Sequence, residues 1–194
     1  MSEFGLYFEI GMEHILDPRG YDHIMFVIAL CAVFVIRDWK RVLILVTAFT
    51  IGHSVTLALA TFNIIRINSD LIEFLIPVTI FLTALSNVIS KSEHSKKSKL
   101  QTNYFLAVFF GLIHGMGFSN YLKAILGKDE SIFTQLLAFN IGLEAGQIIV
   151  VGIFLLITFI LIDIFRINRR DWKLVVSSGV MGIALVMIAE NKYW

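Results

Sequence analysis

Asp22, His23, His53, His114 and Glu144 lie at or within stretches of the chain that are otherwise almost wholly apolar. A charged side chain at the centre of a bilayer costs on the order of 2.5–3.5 kcal/mol by insertion scales. Imidazole and carboxylate are the ordinary ligands of Zn, Ni, Mn and Fe(II), and imidazole is also a proton carrier. Five such groups exceed what helix packing needs, so metal binding or proton transfer is the chemistry they point to.

Their neighbours refine this reading. Asp22 and His23 are adjacent, so on a helix they point about 100° apart. That suits a ligand and its supporting partner, or two different ligands, with His14 and Asp17 just upstream. The plainer reading of Asp22 is a helix N-terminal charge favoured by the dipole. Thr47, Thr50, His53 and Ser54 recur at helical spacing and make one polar stripe. His114 is flanked by Gly111, Gly115 and Gly117, a small-residue pattern that lets a second helix approach closely. Asn140, Glu144 and Gln147 fall at i, i+4 and i+7, which puts a carboxylate and two amides on one face. A structural hydrogen-bond network is the alternative for that stripe. His94, in the run Lys91–Lys97, reads as a solvated loop residue without a role.

The elements that must position these groups are membrane helices. Of the 194 residues, 57% are hydrophobic and Phe alone occurs 17 times, against about 45–50% apolar in soluble domains. Six apolar segments, about 21–36, 42–62, 71–90, 104–124, 132–163 and 173–190, predict an all-α integral membrane protein with one transmembrane domain over 1–194. The fifth segment is long for an upright span, so it tilts or breaks, with Asn140–Gly142 as the weak point. Residues 1–20 predict a short amphipathic helix on the outer surface, closed by Asp17, Pro18 and Gly20. Their acidic start is unlike a secretory signal. No internal or inverted repeat is evident. The single cysteine, Cys31, excludes a disulfide within the chain and a thiolate metal cluster. The net charge of +1 gives no footprint for nucleic acid.

Basic residues orient the bundle. Eleven Lys and Arg flank the loops after segments one, three and five, against five on the other side, so the first side is expected to be cytoplasmic and both termini to lie outside. His53, His114 and Glu144 then sit about 9–12 residues in from the outer ends of their segments, at similar depth.

The motif G-x-x-H-I-L-D-P-x-G-Y-D-H over Gly11–His23, with F-T-I-G-H-S, G-L-I-H-G-M-G-F and F-N-I-G-L-E-A-G-Q, resembles the HupE/UreJ family of bacterial membrane proteins, most of all its shorter second branch. The likeness covers nearly the whole chain. It implies a multi-pass protein of the bacterial inner membrane and association with nickel uptake. By that resemblance Asp22 and His23 carry over as metal residues, and His14 stands seven residues before the pair. Of the other branch's histidine-rich helix motif, His114-Gly115 is the part that matches here.

Three function classes follow. A divalent-metal permease would capture Ni or Zn at His14, Asp22 and His23 and pass it by His53, His114 and Glu144, with Asp17, Ser54, Asn140 and Gln147 in support. An intramembrane zinc-dependent hydrolase acting on a lipid or peptide would use the same metal and Glu144 as general base. A structural partner in a membrane complex would bind no metal. The first is the reading adopted; beyond the bilayer and the ion, it leaves open a homo-oligomer or a membrane partner.

Overall fold

The computed structural model describes residues 2–65, 68–90, 96–125 and 132–194. Among them the regular structure is all helical: α1 Glu3–Leu16, α2 Asp22–Cys31, α3 Trp39–Thr61, α4 Ser69–Ile89, α5 Lys96–Gly117, α6 Ser119–Ile125, α7 Ile132–Phe159 and α8 Arg169–Glu190. A 3-10 turn at Ile36–Asp38 precedes α3, and a π-helical turn at Ile160–Ile164 extends α7. Local chemistry sets the boundaries. The side chains of Ser2, Asn68 and Asn168 accept hydrogen bonds from the backbone N–H of Gly5, Asp70 and Arg170, capping α1, α4 and α8. Helix α1 stops at Asp17, the residue before Pro18, where the proline ring disfavours helical backbone.

Among the described residues, four spans are long and apolar enough to cross a membrane: Ile36–Thr61, Ser69–Ile89, Ile132–Ile164 and Arg169–Glu190. Their outward faces carry exposed Ile44, Ile51, Leu82, Ile153, Leu156, Val175 and Val186, an apolar belt suited to lipid. Asp22–Cys31 and Asn103–Gly117 are shorter apolar helices. The first apolar segment, expected to be helical over 21–36, ends at Cys31, and the fourth divides into α5 and α6 at Phe118. The fifth does not break. Gly142 and Gly146 are helical because another backbone lies against them, and that close approach offsets their poor helix propensity.

That backbone belongs to α1. Instead of lying flat on a surface, α1 runs parallel to α7: Glu3 is hydrogen-bonded by Gln135, the carbonyl of Phe8 meets Gly142, and Ile15 meets Gly146. Tyr7, Gly11 and Ile15 are buried in this contact. A second parallel pair is made by α3 and α5, where Phe49 meets Gly111 and His53 meets Gly115. The α2 helix continues in the direction of α1 and lies parallel to α4, since Asn87 near the end of α4 donates to the carbonyl of Ala29 near the end of α2 at 2.7 Å. Both run toward an end where Arg37, Lys40, Arg41, Arg169, Arg170 and Lys173 gather, called the basic end below. There Asp38 pairs with Arg41 at 2.8 Å, and Lys173 donates to the carbonyl of Ser90 at 2.9 Å.

The two parallel pairs are built alike. A Cβ on Gly11 would overlap the Phe139 carbonyl, and one on Gly142 the Phe8 carbonyl; Gly52 and Gly111 meet the carbonyls of Val108 and Phe49 in the same way. Each glycine follows by three residues the carbonyl that its partner glycine touches. The sequence carries the same relation. F-x-I-G occurs at 8–11, 49–52 and 139–142, and G-x-x-H occurs at 11–14 and 111–114. I-x-R-I-N occurs at 64–68 and again at 164–168. The order of short-broken helix, long helix, long helix is therefore used twice, as α1–α4 and as α5–α8. The first copy starts toward the basic end and the second away from it. This is an inverted repeat, and it corrects the expectation of none.

Candidate metal centre

The centre forms where the α1–α2 span is interrupted. Residues 17–21 let the chain leave α1 after His14 and enter α2 at Asp22, so both half-helices end at one level. His53 from the middle of α3 and His114 from near the end of α5 reach the same place. The ring centroids of His14 and His23 lie 4.5 Å apart, His14 and His53 6.1 Å, His23 and His53 6.1 Å, and His23 and His114 5.2 Å. His14, His23 and His53 each offer a ring nitrogen within 4.8 Å of the others. His53 and His114 are buried to 0% and 1% exposure, so these contacts are not made through solvent.

Hydrogen bonds fix two of the tautomers. The Nδ1 of His23 lies 3.0 Å from Asp22 Oδ1, which also accepts from the His23 backbone N–H at 2.8 Å. The carboxylate can only accept when ionised, so Nδ1 carries the proton and Nε2 turns its lone pair to the cluster. His114 Nε2 lies 3.2 Å from Thr79 Oγ1, whose own proton goes to the Ile76 carbonyl at 2.7 Å. The hydroxyl must then accept from Nε2–H, which leaves Nδ1 of His114 with the lone pair. Among the described residues, Nε2 of His14, Nε2 of His23, both nitrogens of His53 and Nδ1 of His114 are buried and find no hydrogen-bond partner. Buried polar atoms are nearly always satisfied, and each orphan costs about 1–3 kcal/mol. Lone pairs turned toward one another in this way fit a cation between them.

A cavity of about 680 Å³ leads to the cluster. Its lining includes His14, Asp22, His23 and His114, and it reaches the surface at exposed Glu13, Asp17, Glu73 and Tyr121, at the end away from the basic residues. Three carboxylates thus stand at its mouth. Phe118 covers one side, with its ring 3.9 Å from that of His14.

The other expected site residues have these hydrogen-bond partners. Glu144 Oε1 accepts from Thr47 Oγ1 at 2.6 Å, and Gln147 Oε1 accepts from Thr50 Oγ1 at 2.8 Å, so this polar stripe ties α7 to α3. Ser54 donates to the Thr50 carbonyl and Asn140 to the Leu136 carbonyl, each within its own helix. Asp17 accepts from the backbone N–H of Arg19 at 2.9 Å, shaping the turn and lining the cavity. His94 lies outside the described residues. Thr79 was not singled out by its sequence context; its place two residues past Pro77, in an apolar helix, is the available signal.

A helical bundle with a lipid-type surface, closed around histidines that an acidic cavity reaches, defines a membrane protein with a candidate metal site. The chain belongs to the HupE/UreJ family: the family described as HupE / UreJ protein matches residues 1–192. No curated protein and no solved structure matches it.

Proposed function

We propose that the chain is a permease for a divalent transition metal such as Ni(II) or Zn(II), with His14, His23 and His53 as principal ligands and His114 as a fourth. The observation that carries this reading is the convergence of buried, unpartnered imidazole nitrogens from α1, α2, α3 and α5. Asp22 supports His23 as the carboxylate of a carboxylate–histidine–metal arrangement. The mouth carboxylates Glu13, Asp17 and Glu73 raise the local cation concentration. A metal at about 2.0–2.1 Å from each nitrogen needs nitrogens about 3.4 Å apart in a tetrahedral site. The three ring nitrogens, all within 4.8 Å of one another, are near enough for one ion to join them. Family membership agrees, since the family is associated with metal transport.

In this reading the chain crosses the bilayer six times. The crossings are the α1–α2 pair, α3, α4, the α5–α6 pair, α7 and α8. The basic end faces the cytoplasm of a bacterium, by the excess of Lys and Arg there, and the cavity and both termini face outward. The hydrolase alternative gains no specific observation: Glu144, its general base, is engaged by Thr47.

Flux into sealed liposomes tests the proposal. Liposomes with the purified chain and an internal metal-sensitive dye should take up Ni(II) or Zn(II), and His53→Ala should remove most of that uptake. A folded wild-type protein that moves neither ion above the rate of empty liposomes contradicts it.

A further inference from the structure

The inverted repeat implies a second way into the site, now shut. Three of the four histidines have a phenylalanine one helical turn toward the basic end: Phe26 follows His23 by three residues, and Phe49 and Phe110 precede His53 and His114 by four. Their rings meet, Phe26 to Phe49 at 4.9 Å and Phe26 to Phe110 at 5.8 Å. All three are buried and none lines the cavity. On the other side of the histidines, Phe118 and Phe139 stack with centroids 5.0 Å apart. Phe49 and Phe139 hold the same place in the repeated F-x-I-G. The counterpart of Phe110, one hundred residues earlier, is Ile10, and Ile10 and Phe118 do line the cavity. The two ends are thus equivalent in plan and different in state. Glu73 stands exposed at the open mouth, while its counterpart Lys173 is tied to the Ser90 carbonyl at the closed end.

We infer that the halves α1–α4 and α5–α8 exchange conformations about the histidine cluster, so that Phe26, Phe49 and Phe110 part toward the basic end as the cavity mouth closes. The same histidines then face the two ends in turn. Inverted halves around a central site produce this motion because each half can take the shape the other has now. Opening both ends at once would leave a pore, and the aromatic triad prevents it in the present state. The inference rests on the transport reading for its purpose, but its geometry is tested without any metal.

The test is made in lipid nanodiscs with Cys31→Ser as background. Glu13 on α1 and Tyr121 on α6 both line the cavity and belong to different halves, so Glu13→Cys with Tyr121→Cys can bridge only where the halves bring their Cα atoms within roughly 4.4–6.8 Å. Oxidation then holds the two halves together at the mouth. Reporter cysteines beyond the triad, Val46→Cys on α3 and separately Ala107→Cys on α5, both buried in the present state, are then labelled with a water-soluble maleimide. Bridging is expected to raise the labelling rate of both by about tenfold or more, as a minor state populated at roughly 0.1–10% becomes the major one. Reduction should restore the slow rate. A pair that never bridges, or a bridge that leaves both reporters slow, overturns the exchange. Failure of the chain to bind metal at all would remove the transport reading and leave this labelling result standing.

Discussion

At the scale of single residues, the proposed centre has two of its protons already placed. Asp22 holds the Nδ1 proton of His23 and Thr79 holds the Nε2 proton of His114, so each ring meets the cluster with a lone pair. In the proposed metal site these two rings then need no change of tautomer to ligate. Asp22→Asn keeps a group that can accept from Nδ1–H but removes the negative charge behind it. Metal affinity should fall by about 10–100-fold, the usual cost of losing such a partner, with the helices intact by circular dichroism. A competition titration against a chelator measures it. Unchanged affinity would reduce Asp22 to a cap on α2. The stripe Asn140, Glu144, Gln147 shows what spacing leaves open at this scale. Periodicity placed the three on one face of a helix, but not which neighbour that face meets; Thr47 and Thr50 of α3 donate to Glu144 and Gln147 there.

At the scale of elements, the cluster depends on two helix pairs that touch through backbone. The α1 helix brings His14 to the site only while Gly11 and Gly142 allow it to lie against α7. A side chain at either glycine meets a carbonyl on the partner's backbone, which no rotamer relieves. Gly142→Leu is therefore expected to destabilise the fold by about 1–3 kcal/mol, as overpacking does, and to weaken metal binding through loss of His14. Thermal unfolding in detergent checks the first part, with Gly179→Leu as control, since a Cβ there meets nothing within 4 Å. Lack of any difference between the two variants would mean that α1 is not docked as described. The sequence announced these contacts only in part. Small residues four apart at Gly111 and Gly115 marked a packing face, and length marked α3, α4, α7 and α8 as spans. The docking of α1 was hidden because 14 residues are too few for a crossing, and nothing local says that a second short helix continues it.

At the scale of the whole molecule, the same halves are used twice in opposite directions. This was the least legible feature. The counterparts lie one hundred residues apart for α1 and α5 and for the starts of α4 and α8, but ninety apart for α3 and α7. A fixed period therefore does not align them, and the inversion becomes visible only when Phe8 meets Gly142 as Phe49 meets Gly111. Two such halves leave a polar site at their junction and apolar faces outside, which is the arrangement a carrier needs.

The central claim is that the junction holds a divalent metal, and direct metal analysis tests it most simply. Protein purified without a histidine tag, stripped and reloaded with Ni(II) or Zn(II) at neutral pH, should retain about one ion per chain after gel filtration, the occupancy of a site built from three or four imidazoles. Histidines must be unprotonated to ligate, so the ion should be released as the solution is acidified, and His53→Ala should hold little at any pH while remaining folded. A folded wild-type chain that retains no divalent metal at neutral or mildly alkaline pH, or one whose metal content is untouched by His53→Ala, contradicts the account.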